Sequence, residues 1–487
     1  MAQFSSLDPT PSDPKRRSWR RKVVVAVLVL AVFMAAFYSW AYWRANKVIR
    51  EAIAFVEQSD PQWRLKDIEA NRRQLNDNEN SALVVLAGKK LVDASLRDLA
   101  LEKDSSDVLE TLNTHPNARL NEEQKRMVAG LLKPYQPALV EWSKIADLPY
   151  GRFPIVYSPD FIGTLLPHVQ DTRDMANSLK YQLLDRVAAG DVTGAVRSMK
   201  CLLHANRAIG DEPLLISLLV RIAIRSIAVN NLQWLLAQMQ LDEPALAAIQ
   251  SILEEDEKAP LLTNTLRGER AGSFELFEHM KKDRNYAANI GGFVGAPGSQ
   301  WGLWNYVMAA LPGGMAVHQA DTLIHLTKAV AISKHPVDEQ IDAFQKLDKE
   351  TVNLSMLARL LAPAVSKVGM AQVRSQAILR CAIVGVAAER YRLKLGRFPN
   401  QLDDLVKERF LTAVPIDPYD GKPLRWKETP DGRLVYSVGR DRTDNAGYID
   451  PNNANQDGSD LGFRLFNPDQ RGTEPRPVRP KPPEEPG

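Results

Sequence analysis

At 487 residues the chain exceeds one ordinary domain, and a hydrophobic fraction of 45% supplies enough apolar side chain for sizeable cores. A formal net charge of +3 is close to neutral for this length, and no long basic stripe interleaves with aromatics, so nucleic acid is excluded as a leading partner. The two cysteines, Cys201 and Cys381, fit no zinc or C-x-x-C spacing. Each sits among apolar residues, so two buried thiols are expected rather than a disulfide between them, and the redox compartment stays open.

From Val23 to Trp43 no residue is charged. At about 1.5 Å of rise per residue such a helix crosses a hydrocarbon core of about 30 Å. Lys15, Arg16, Arg17, Arg20, Arg21 and Lys22 precede it, and Phe37, Tyr38, Trp40, Tyr42 and Trp43 crowd its far end. The basic cluster predicts a cytoplasmic N-terminal tail over 1–22 and an extracytoplasmic body in a bacterial inner membrane protein, with the rings at the membrane–water boundary. A cleaved signal peptide is the competing reading, but its apolar region is shorter and ends on small residues. The apolar stretch Trp301 to Ala316 is broken by Pro312, Gly313 and Gly314, and a buried helix and turn is expected there rather than a membrane-surface segment.

The first helix should continue from Arg44 to about Gln58 and stop at Asp60-Pro61. Residues 62–147 read as short helices, with starts at Asn78 to Ser81 and at Asn121 with its Glu and Gln. The Pro- and Gly-rich run Leu148 to Asp160 reads as an extended connection. Met175, Leu179, Leu183 and Val187 form one helical stripe, Gly190-Asp191 breaks it, and Val196, Met199, Leu202 and Leu203 form the next. This turn resembles a single tetratricopeptide-type hairpin without a second copy. Leu214 to Leu236 is very apolar but carries Arg221 and Arg225 one turn apart, which predicts a core helix and not a second span. Asp242-Glu243-Pro244 starts another helix. A long irregular loop or a short buried insertion is expected over Gly291 to Gly314, helix by Ala320, breaks at His335-Pro336 and at Pro363, and a long helix from Ala371 to Leu395.

The region from Tyr391 onward is the most informative. Gly396 suits a left-handed helix cap, and Pro399 bars a restart. Leu402, Leu405 and Val406 suit one face of a short helix, and Ile416 to Gly421 packs turn formers together. Leu424 and Trp426 alternate with charged residues, Thr429 to Gly432 is a turn, Leu434 to Val438 is a returning strand, and Gly462 to Phe466 a third. Beyond Asn467 the Pro-rich tail 467–487 is expected to be disordered. The fold class that follows is mainly α: a transmembrane helix at 23–43, an α-helical region at 44–370, and a small α+β domain at 371–466 with an antiparallel sheet.

The run Y-R-L-K-L-G-R-F-P, then V-P-I-D-P-Y-D-G-K-P-L-R-W and L-V-Y-S-V-G-R-D, resembles the C-terminal domain of type II secretion pseudopilins of the G class, over Ala371 to Phe466. The chain departs from that family in placing the helical region 44–370 between membrane helix and terminal domain, and in showing no prepilin-type signal. The arrangement also looks like that of large single-pass bacterial membrane proteins carrying this domain. The loop Arg440 to Leu461 holds Asp441, Asp444, Asn445, Asp450, Asn452, Asn453, Asn455, Asp457 and Asp460. Calcium takes six to eight oxygens, and such a loop can offer them. The resemblance implies calcium there, with Asp441 at the S-x-G-x-D position and Asp460 at a later ligand position; Asp444 and Asp450 complete the candidate set, in a structural role. The spacing is not an EF-hand, and a solvated turn-rich loop explains the composition equally.

No H-E-x-x-H, P-loop, G-x-S-x-G or dinucleotide fingerprint occurs, and the seven histidines are scattered, with His318 and His325 able to share a helix face. Glu254-Glu255 and Asp403-Asp404 read as solvated helix faces. The sequence points to a membrane-anchored binding or scaffold protein with an unidentified protein partner and without evident catalysis. An extracytoplasmic hydrolase with residues gathered from afar, and a secretion-system or pilus-like component, are the alternatives.

Overall fold

The computed structural model describes residues 14–92, 115–283, 285–287, 289, 313–450, 453 and 456–475. Helix α1 (Pro14–Ser59) is one uninterrupted element of 46 residues, about 70 Å long at the ordinary rise per residue. Its large apolar side chains between Val23 and Trp43 are exposed, and the first buried residue is Ala45. The stretch is long and apolar enough to cross a membrane. Past it, Ala52 and Val56 pack with Trp63, Ala320 and Leu323, so the same helix that is bare at one end is core at the other. Asp60 follows, and its carboxylate takes Arg267 at 2.6 and 2.8 Å and also Arg270.

Short helices α2 (Leu65–Ala70), α3 (Ser81–Lys89), α4 (Glu122–Leu132) and α5 (Gln136–Trp142) come next. The starts expected near Asn80 and Asn121 are real caps: Asn80 accepts from the Ala82 N–H, and Asn121 and Gln124 form a reciprocal capping box with both bonds at 2.8 Å. The hairpin α6 (Pro167–Ala188) and α7 (Val192–Ala208) turns at Gly190, with Asp191 capping α7. Met175, Leu179 and Leu183 are fully buried in it, as their spacing of four requires. Then follow α8 (Leu215–Gln238), α9 (Glu243–Lys258), α10 (Leu261–Lys282), α11 (Ala316–Ile332), α12 (Val337–Glu350), α13 (Met356–Leu395) and the short α14 (Asp403–Lys407). Helix α8 buries Arg221 and Arg225 within the body, so it is a core helix although its composition passes for a span.

The sheet has order β1 (Arg425–Thr429), β2 (Gly432–Ser437), β3 (Leu461–Phe466), with both pairings antiparallel. Trp426 pairs with Val435, and Val435 with Phe463. Phe463 lies on α13 at Gly385, where a Cβ would come within 2.5 Å of its ring. Gly396 ends α13 in the left-handed region at φ 74°, as its position predicted. One apolar cluster runs from Ala82 on α3, through α5 to α9, along α13, and into Val435, Phe463 and Leu465. The protein is therefore mainly α with a small antiparallel sheet, and sheet and helical body share a core.

Several expectations are corrected. Pro363 does not break the chain: the backbone stays helical through it from Met356 to Leu395, and the break falls at the Thr351 to Ser355 turn instead. A proline removes one helical bond at a cost of about 3 kcal/mol. Burial of Ala358, Val365 and Val368 on either side offsets it. The long helix expected from Ala371 therefore begins earlier, at Met356. Residues 467–475, expected in the disordered tail, are placed: Arg471 pairs with buried Glu389, and Thr473 bridges to Ala118 in parallel. The remaining tail 476–487 and most of the 291–314 loop lie outside the described residues. Cys201 and Cys381 are free and buried, and burial pushes the Cys201 thiol up to about 11.

Candidate functional site

The Asp- and Asn-rich loop is held by its own carboxylates. Asp441 accepts from the backbone N–H of Thr443 at 3.0 Å and of Gly458 at 2.8 Å. Burial lifts its pKa, but those N–H groups more than reverse this and hold it below the usual carboxylate range. Asp460 is fully buried and accepts from Asn445 N at 3.3 Å and Gly447 N at 2.7 Å; burial raises its pKa. Asp444 accepts from the Tyr436 hydroxyl at 3.1 Å and Ala446 N at 2.9 Å. Asp450 accepts from Asn453 N at 3.0 Å and from the Gln456 amide. Asp441 and Asp460 both reach Asn445, whereas Asp444 turns to the sheet and Asp450 to the loop tip. Among the described residues no three ligand-type side chains converge as a cation needs. Each of the four carboxylates accepts a hydrogen bond from a backbone N–H of the loop.

His318 and His325 are both buried on α11, and burial lowers the pKa of each. His168 meets the buried Glu212 at 2.8 Å, and Glu212 also accepts from Ser217 at 2.5 Å. The carboxylate lies between imidazole and hydroxyl, so this trio orients no serine toward a base.

A concavity lies elsewhere, between α8, α12, α13 and the terminal segment. It is a cleft of about 510 Å³. Four cations line it, Arg225, Arg374, Arg440 and Lys367, against one carboxylate, Asp348. Arg225 is 3% exposed, at the floor. Its Nε donates to Asp256 at 2.6 Å and its Nη1 to the Ser375 hydroxyl at 2.9 Å. Asp256 also takes Arg221 at 3.3 Å, so a single buried carboxylate serves two buried guanidinium groups. Burial pushes the Asp256 pKa up, yet Arg225 and Arg221 beside it more than reverse this and hold it below the usual range.

Two donors on residues of the lining are left over. The Arg225 Nη2 and the Arg374 Nε are buried and have no hydrogen-bond partner. A buried donor without an acceptor costs about 1–3 kcal/mol, and more when charged. Tyr419 forms part of the wall and is positioned from below, because the fully buried Asp417 accepts from its N–H at 3.0 Å. Burial pushes the Tyr419 hydroxyl up to about 12, with Arg374 and Arg440 pulling it back down. Arg440 stands at the mouth with its side chain 65% exposed, and its nearest carboxylate, Asp457, is 3.9 Å away. Among the described residues the lining contains neither histidine nor cysteine.

The only sequence signal for this cleft is Arg221 and Arg225 inside an apolar helix. Arg374, Tyr419 and Arg440 carry no local signature; only the fold gathers them.

Comparison with known protein families, with curated proteins and with solved structures returns no match.

Proposed function

We propose that this chain is a membrane-anchored, extracytoplasmic binding protein that holds a ligand in the cleft between its helical body and a pseudopilin-like terminal module. The observation that carries the reading is a cleft of about 510 Å³ lined by four cations against one carboxylate. Ligand sites are concave, partly apolar, and set by a few placed polar groups. The exposed apolar stretch of α1 and the basic cluster before it support the anchor and its orientation. The order long helix, short helix, three antiparallel strands supports the pseudopilin-like reading of the terminal module.

The test has two parts. Protease added to intact spheroplasts should digest the chain beyond α1, and full protection would overturn the topology. Purified full-length protein in detergent should retain small molecules from a mixture of anions, neutral compounds and cations, detected by mass spectrometry after washing. Ala371→Trp, which fills the cleft from α13, should abolish retention. Retention by neither protein, or equal retention by both, would overturn the binding role of the cleft.

A further inference from the structure

Resting on the binding role proposed above, we infer that the ligand is an organic dianion of the phosphomonoester type, its charged end on Arg225 and Arg374 and its apolar body against Ile222, Met370 and Ile378. Charge comes first. Asp256 is shared by Arg221 and Arg225, and Arg374 has no ion pair among the described residues, so the floor and wall carry more positive than negative charge. Asp348 is the one acid in the lining, and it stands exposed at the rim.

The donors come second. Arg225 and Arg374 come from different helices, α8 and α13, and line one cleft, and each has a buried N–H without an acceptor. A group with several acceptor oxygens can accept from more than one guanidinium, and a guanidinium matches phosphate geometry well. The exposed Arg440 and Lys367 at the mouth add attraction for incoming anions. Size and polarity come third. A bare ion fills little of about 510 Å³, and the wall between the cations is apolar, with Ile222, Met370, Ala371 and Ile378. A charged end on an apolar body occupies both parts.

The test uses four ligands with one aromatic body: phenyl phosphate, benzoate, benzyl alcohol and benzylammonium, plus inorganic phosphate, titrated calorimetrically into full-length protein in detergent at pH 8. Phenyl phosphate should bind about tenfold to a hundredfold tighter than benzoate, the worth of one further charge-assisted hydrogen bond. Benzyl alcohol and benzylammonium should bind far more weakly still. Arg225→Gln should abolish the phosphate preference. Because that variant also unpairs Asp256, Arg374→Gln and Arg440→Gln, which leave Asp256 untouched, should each weaken phenyl phosphate severalfold at unchanged melting temperature.

Equal or tighter binding of benzyl alcohol or benzylammonium would overturn the anion while leaving a ligand-binding cleft. Inorganic phosphate equalling phenyl phosphate would overturn the apolar body. Phenyl phosphate binding unaffected by Arg374→Gln and Arg440→Gln would place the anion elsewhere and overturn the assignment. Binding of none of the five would overturn the inference and the binding role together.

Discussion

Asp256→Asn removes the one negative charge between two buried guanidinium groups. Asp256 is 4% exposed, and Arg221 and Arg225 donate to it at 3.3 and 2.6 Å. Asparagine keeps an acceptor oxygen in nearly the same volume, so the cost is electrostatic rather than a cavity. Breaking one partner of a buried pair costs about 3–5 kcal/mol, and we expect about 3 here because a hydrogen bond survives. Asp342→Asn is the control. Its pair with Arg442 at 2.6 Å is on the surface, and such a pair is worth about 1 kcal/mol or less. Urea unfolding of full-length protein in detergent, followed by tryptophan fluorescence, measures both. The Asp256 carboxyl is held below its usual pKa in the fold. Its contribution is therefore complete above the unfolded value of about 4 and is lost as pH falls through the lower folded value. The gap between wild type and Asp256→Asn should stay constant from neutral pH down to that point and then close. Phenyl phosphate should stabilise wild type but not relieve the variant's unpaired Arg221. An Asp256→Asn cost within about 1 kcal/mol of Asp342→Asn would refute the account of the cleft floor as a charge-strained network.

Truncation after Pro475 should leave thermal stability unchanged, whereas truncation after Phe466 should cost about 3 kcal/mol by stripping Arg471 from the buried Glu389; equal melting temperatures would mean that 467–475 does not hold the fold. Gly385→Ala puts a methyl 2.5 Å from the Phe463 ring and should cost about 1–3 kcal/mol, with Phe463→Leu in the same chain recovering part of it; strictly additive costs by urea unfolding would separate the two sites. Asp460→Asn turns an N–H donor toward Asn445 N or Gly447 N and should cost about 1–3 kcal/mol equally with and without calcium in differential scanning fluorimetry. A calcium-dependent gain in wild type that the variant abolishes would establish the metal reading of the loop.

Much of the fold was legible because local chemistry acts alone at element ends. Asn80, Asn121 with Gln124, Asp191 and Asp242 each cap a helix that the sequence placed within a residue or two. Gly396 and the strand alternation around Trp426 act just as locally. Pro363 misled because its penalty is local while the packing of α13 is not. The 467–475 segment misled because its composition lacks apolar residues, yet its order comes from Arg471 reaching a carboxylate buried on α13. The cleft shows the same limit. Arg221 and Arg225 were conspicuous on an apolar helix, but Arg374, Tyr419 and Arg440 become neighbours only through the crossing of α13 with α8 and the placing of the terminal segment beside it.

The continuity of α1 makes the body a fixed attachment. No break separates the exposed stretch ending at Trp43 from Ala45, Ala52 and Val56, which are packed into the core. Rotation of one part about the helix axis is therefore rotation of the other. One residue inserted at Arg44 turns the body by about 100° and lifts it by about 1.5 Å, while seven residues nearly restore its heading at a lift of about 10 Å. With the membrane anchor proposed above, helical phase, more than distance, sets which side of the body, and which way the mouth of the cleft, faces along the bilayer.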